Sequence, residues 1–149
     1  AEDKMALALD LVNVRLILEP GIAEMAALNA TEEAILELRC CCERVEERIA
    51  SGDMYIQDDI AFHTSVARCS GNKVVEQLIP IIDTAVMMFV NVTHQRLTKE
   101  TVMTHRAIVD AISDRDPIGA KTAMMMHMTY NRNMILKLIR EEKEKNHKE

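Results

Sequence analysis

The chain has no tryptophan, and its 149 residues include only two tyrosines, two phenylalanines, four glycines and three prolines. So few aromatics and turn formers leave little from which to build closely spaced strands and tight hairpins. Apolar residues at 48% against 28% charged are instead the balance of packed helices, and an all-α fold is expected. The length fits a single domain. No apolar run reaches the roughly 18 residues of a membrane span. The opening Ala1-Glu2-Asp3-Lys4 is no signal peptide. These absences lead us to expect a soluble, cytoplasmic protein with no membrane partner.

Basic residues are in deficit, 18 Lys and Arg against 24 Asp and Glu, for a net charge of -6. Phosphate binding relies on clustered cations that displace counterions, so this segment is not expected to present a DNA or RNA surface of its own. The four cysteines, Cys40, Cys41, Cys42 and Cys69, lack metal-finger spacing. Three in a row on a helix point about 100° apart, which suits reduced thiols filling a core better than a shared ligand set.

Local signals divide the chain into about seven helices. The first is expected over Lys4 to Glu19 with Leu7, Leu11 and Leu18 inward, and Pro20-Gly21 is expected to kink or restart it into a short second helix through Leu28. Thr31 can cap a third that reaches Ala50, and Asp53 a fourth over Met54 to Cys69. After Gly71-Asn72 a strongly apolar fifth helix is expected from Lys73 to about His94, bent by Pro80. Thr98 can cap the sixth, to Ser113. Asp116-Pro117 gives a cap and an N1 proline for a seventh that continues to about Glu142, with a frayed tail from Arg140 to Glu149.

Against this background four residues stand out. Asp59 and His63 are spaced i, i+4 and therefore share one helical surface. His105 and His127 fall on the apolar stripes of two other helices. A single histidine on such a stripe is an ordinary core residue bonded to a carbonyl or carboxylate; several together suggest a common purpose. One carboxylate and three imidazoles would suit a borderline divalent ion such as Zn, Ni, Co or Mn, and offer too few oxygens for calcium. Di-iron bundles need paired Glu-x-x-His motifs with bridging glutamates, a pairing this chain lacks, so a mononuclear site is favoured. His94 and His147 are expected to face solvent.

Arg15 lies one turn from Leu11 and Leu18. Pointing inward it would receive a carboxylate in its planar fork; pointing outward it would form a surface ion pair with Glu19. The eleven methionines read as helical filler or as a malleable pocket wall. A mononuclear metal hydrolase or lyase is the rival function. It needs a general base beside the metal, and Asp83 is the only buried-looking candidate.

The segments Val14-Arg15-Leu16-Ile17-Leu18-Glu19-Pro20, Asp59-Ile60-Ala61-Phe62-His63, Gly71-Asn72, His105 to Ile112 and Ala123 to His127 occur in an order and spacing that resemble the FCD domain. That domain is the C-terminal effector-binding part of the FadR subfamily of GntR-type transcription regulators, and the resemblance covers nearly the whole chain, residues 1–149. It implies an antiparallel bundle of six to seven helices whose centre holds a metal, most simply zinc, through Asp59, His63, His105 and His127. It further implies that a small organic acid completes the coordination, that Arg15 faces it, and that the chain is not an enzyme. Asn91 and Asn131 could add neutral hydrogen bonds where relatives often carry basic side chains. A homodimer acting on DNA through an N-terminal winged helix-turn-helix, absent from these residues, completes the expectation.

Overall fold

The structure, a computed structural model, describes residues 2–94 and 96–148. Seven helices are present among them and no strand: α1 (Glu2–Asn29), α2 (Glu32–Ala50), α3 (Ile56–Cys69), α4 (Lys73–Glu76), α5 (Ile79–Thr93), α6 (Thr98–Ser113) and α7 (Pro117–Lys148). The fold is therefore the all-α bundle expected. The long helices α1 and α7 pack along each other, α6 lies on α7, and α3 is held between α1, α2 and α5. One apolar core runs through all of these, from Val12 and Ala23 on α1 to Leu38, Phe62, Val86, Ile108 and Met128.

Local chemistry explains most boundaries. Thr31 Oγ1 accepts from the Ala34 N–H and opens α2, as expected. Gly52, at φ 72°, closes it: its N–H reaches Ile49 O and the Asp53 N–H reaches Arg48 O, the paired bonds of a left-handed C-terminal turn. Asp53 is thereby part of the end of α2 and not a cap for α3, which starts at Ile56 without a side-chain cap. Asp116 accepts from the Gly119 N–H and, with Pro117, begins α7 as expected.

Several expectations are corrected. Pro20 neither ends nor restarts α1, which runs through it. Its missing N–H removes one intrahelical bond, and extensive packing on α7 carries the helix across the gap. The buried line of α1 is Ala8, Val12, Arg15, Glu19, Ile22, Ala23 and Ala26, while Leu7 is exposed and Leu11 and Leu18 are only half-buried. The fifth helix is two: Asn72 caps the single turn α4, and Pro80 sits in the first turn of α5, where its absent N–H has no intrahelical role to lose. Thr98 is the first residue of α6, after Leu97, and makes no cap. The expected frayed tail is helical to Lys148, though exposed; Glu149 and Ala1 lie outside the described residues. Among the described residues no helix is long and apolar enough to cross a membrane.

Candidate metal centre

Four helices each deliver polar groups to one buried point. Asp59 and His63 come from successive turns of α3, His105 from α6 and His127 from α7, with exposures of 5, 1, 0 and 3%. Asp59 Oδ1 lies 3.4 Å from His63 Nε2 and 3.3 Å from His105 Nε2, and His63 Nε2 lies 3.3 Å from His127 Nε2. Ligand atoms of His63, His105 and His127 all fall within 4.8 Å of one another. The spacing predicted from sequence therefore converges in space: the four residues form one cluster.

The far sides of two imidazoles are already engaged. Glu19 Oε1 is 2.7 Å from His63 Nδ1, and a carboxylate can only accept there, so Nδ1 carries a proton and, in the neutral ring, Nε2 is the lone-pair nitrogen. Thr104 Oγ1 is 2.7 Å from both the Glu100 carbonyl and His127 Nδ1. Its one proton goes to the carbonyl, so its oxygen accepts from His127 Nδ1–H and again leaves Nε2 as the lone-pair nitrogen. His105 is fixed differently, stacked flat on Phe62 with centroids 3.9 Å apart and planes 16° from parallel.

Arg15 and Glu19 on α1 complete the surroundings, both at 3% side-chain exposure and joined by a charged hydrogen bond from Arg15 Nε to Glu19 Oε2. Both alternatives for Arg15 are thus partly met: it pairs with Glu19, but inside the bundle. Its Nη2 lies 3.3 Å from His63 Nε2. Sequence reasoning weighed Glu19 only as a surface partner. The signal that reveals it is register, since positions 12, 15, 19, 22 and 26 fall on one face and place both charges between Val12 and Ile22.

Electrostatics keeps both carboxylates ionised and two of the three imidazoles neutral. Burial alone would raise Glu19, yet the charges and hydrogen bonds of Arg15 and His63 bring it down to about 2. Burial likewise opposes ionisation of Asp59, and contacts from His105 and His63 outweigh it, holding the carboxyl well below its usual range. His105 and His127 are lowered mainly by burial, which favours the neutral, ligating form. His63 is raised, because Glu19 and Asp59 more than offset its burial.

The residues present fit a divalent metal. Asp59 Oδ1 and both ring nitrogens of His105 are buried without a hydrogen-bond partner, a costly arrangement for polar atoms, and Asp59 Oδ1 stands 3.3 Å from His105 Nε2. Ligand atoms about 2.0 to 2.1 Å from a tetrahedral ion stand about 3.3 Å apart, which matches the Asp59–His105 and His63–His127 separations of 3.3 Å. Asn131, one turn beyond His127 on α7, is buried, whereas Asn91 on α5 is exposed and not enclosed with the histidines. Asp83 accepts from Thr64 Oγ1 at 2.7 Å. His94 and His147 are exposed, as expected.

The profile of the FCD domain matches residues 10–130. The chain is 29% identical over 145 residues to the uncharacterized HTH-type transcriptional regulator YcbG of Bacillus subtilis, covering 89% of this chain and 58% of that protein. It is 29% identical over 119 residues to the HTH-type transcriptional repressor NanR of Citrobacter rodentium, covering 77% and 46%. The chain thus spans about half the length of the curated relatives it matches. Among solved structures, Streptococcus agalactiae GntR superposes with a TM-score of 0.78 at 30% identity, over 89% of this chain and 61% of that one. These relatives are named as regulators and not as enzymes. With its profile match and its fold in agreement, the chain belongs to the FCD domain family.

Proposed function

We propose that this domain is the metal-containing, effector-sensing part of a GntR-type transcription regulator, and that a small organic acid is its signal. The observation that carries the reading is the convergence of Asp59 Oδ1 with three histidines, two of whose outer nitrogens are already committed to Glu19 and Thr104. Asp59, His63, His105 and His127 would hold the ion, most simply zinc, with nickel, cobalt and manganese suited to the same donors. A bound divalent ion supplies a Lewis-acidic position for a carboxylate oxygen.

Arg15 orients the acid from α1, because a guanidinium stays charged and can grip a carboxylate in its plane. Asn131 adds a neutral donor and acceptor from α7. With α1, α3, α6 and α7 meeting at one point, an acid bound there draws on all four helices, and it regulates only if it binds one arrangement of them better than another. DNA contact and dimerisation are assigned to the full regulator, working in the cytoplasm. The enzymatic reading is disfavoured by the relatives' names.

Elemental analysis and calorimetric titration with Zn²⁺ test the site. The expected result is about one ion per chain, lost in His105→Ala. Failure of the wild type to take up any of the four metals would remove the proposal.

A further inference from the structure

Charge at the centre identifies the kind of acid it accepts, an inference that rests on the metal reading above. Arg15, Glu19 and Asp59 are, apart from the histidines, the buried charged side chains among the described residues. Arg15 and Glu19 neutralise each other through their hydrogen bond, leaving Asp59 as the single uncompensated anion. Three neutral imidazoles and a divalent ion then leave one positive charge. In a buried site an uncompensated charge of either sign is costly, so one negative charge from the ligand balances it and a second does not.

Glu19 is the residue that sets this count. It is 2% exposed, and it touches Arg15 with one oxygen and His63 Nδ1 with the other. Without its charge, Arg15 would stand uncompensated and the centre would accommodate a dianion. We propose that Glu19 is a specificity-determining residue that restricts the site to small, singly charged carboxylates. Size points the same way, since no side chain of the cluster has more than 7% of its surface exposed and an acid with a long tail would have to displace core residues.

The test compares acetate and lactate with malonate and succinate by calorimetry on the zinc-loaded domain, in wild type and in Glu19→Gln. Wild type should prefer the monocarboxylates by about tenfold or more, and Glu19→Gln should narrow or invert that ratio by a similar factor. A purely structural role for Glu19 would weaken both classes alike and leave the ratio unchanged, which would overturn the proposal. If Glu19→Gln alone does not fold, as judged by its helical circular dichroism, the double variant Arg15→Gln with Glu19→Gln restores the charge count. It should bind all acids more weakly yet keep the monocarboxylate preference, and a dicarboxylate preference there would also overturn the proposal. Zinc uptake by the wild type is measured first. No uptake would overturn the metal reading and this inference together, whereas uptake with an unselective or dianion-preferring wild type overturns this inference alone.

Discussion

Two regions of the bundle bury titratable side chains, and they treat them in opposite ways. In the flank formed by α2 and α3, Cys41, Cys42 and Cys69 are buried, and Cys69 Sγ donates to Ala34 O at 3.6 Å while Ser70 Oγ donates to Ala67 O at 2.6 Å. Both of these groups find an acceptor within the flank. In the centre formed by α1, α3, α6 and α7, Asp59 Oδ1 and His105 Nε2 face each other at 3.3 Å without a hydrogen bond, while Glu19 and Thr104 hold the outer edges of His63 and His127. Burial alone does not mark a site. Polar atoms converging on one point do, with the outer nitrogens of His63 and His127 secured.

The largest expected contrast is metal dependence. Zinc at a hundred times its Kd should stabilise the domain by about 2.7 kcal/mol, which raises Tm by roughly 5 to 10 °C for a chain of this size. His105→Ala or His127→Ala should abolish that rise, and Cys41→Ala should leave it intact. Thermal melting with zinc and with chelator checks this. A zinc shift that survives loss of His105 would place the ion outside the centre.

The second contrast is in pH. In the metal-free protein His105 and His127 are held below their ordinary 6.5, so the unfolded chain binds protons first and stability falls as pH drops below about 6.5. Glu19, ordinarily 4.5 and held at about 2, continues the loss as pH falls from 4.5 towards 2. His63, raised, works against this: its contribution is complete below 6.5 and fades as pH climbs through its folded value. The flank acts at the other extreme. Burial lifts Cys42 from 9.0 to about 12 and Cys69 from 9.0 to about 11, so thiols ionise first in the unfolded chain and stability falls as pH rises above 9. Denaturant midpoints across pH should show both limbs, and substituting His105 or His127 should reduce the loss just below 6.5 and leave the alkaline limb unchanged.

How much of this was legible in the sequence depends on whether a signal was local. The Thr31 cap and the Asp116-Pro117 start depend on neighbours within three residues, and both helices begin where those signals place them. Pro20 misleads because tertiary packing on α7 overrides a local breaker, and Pro80 because a proline in a first turn looks the same in sequence as one that bends a longer helix. The i, i+4 spacing made Asp59 and His63 a pair on sight. The register of positions 12, 15, 19, 22 and 26 is the one local sign that Arg15 and Glu19 face inward, and it is hard to read because α1 is apolar on several sides: Ile17, 79% exposed, looks more like core than either of them.

Thiol chemistry separates the regions more gently. Cys40 is exposed, while Cys41, Cys42 and Cys69 are buried and raised by burial, which disfavours the reactive thiolate. A maleimide should label one thiol rapidly at neutral pH, identified as Cys40 by mass spectrometry, and the other three only on unfolding. Equal rates at all four would mean that the flank opens readily, and the comparison of two well-packed regions would lose its basis.

The smallest effect concerns a cap. Thr31 is exposed and its Oγ1 accepts from the Ala34 N–H at 3.1 Å, so Thr31→Ala removes one bond from the first turn of α2 and should cost about 1 kcal/mol. None of the ligating side chains is on α2, and substitutions at separate sites with no shared partners add nearly independently. Thr31→Ala should therefore lower the denaturant midpoint slightly and leave the zinc Kd unchanged, whereas Glu19→Gln should alter the Kd because it touches His63 directly. A Kd that shifts with the cap would mean that flank and centre form one cooperative unit whose local packing sets metal affinity, and the division drawn between them would fail.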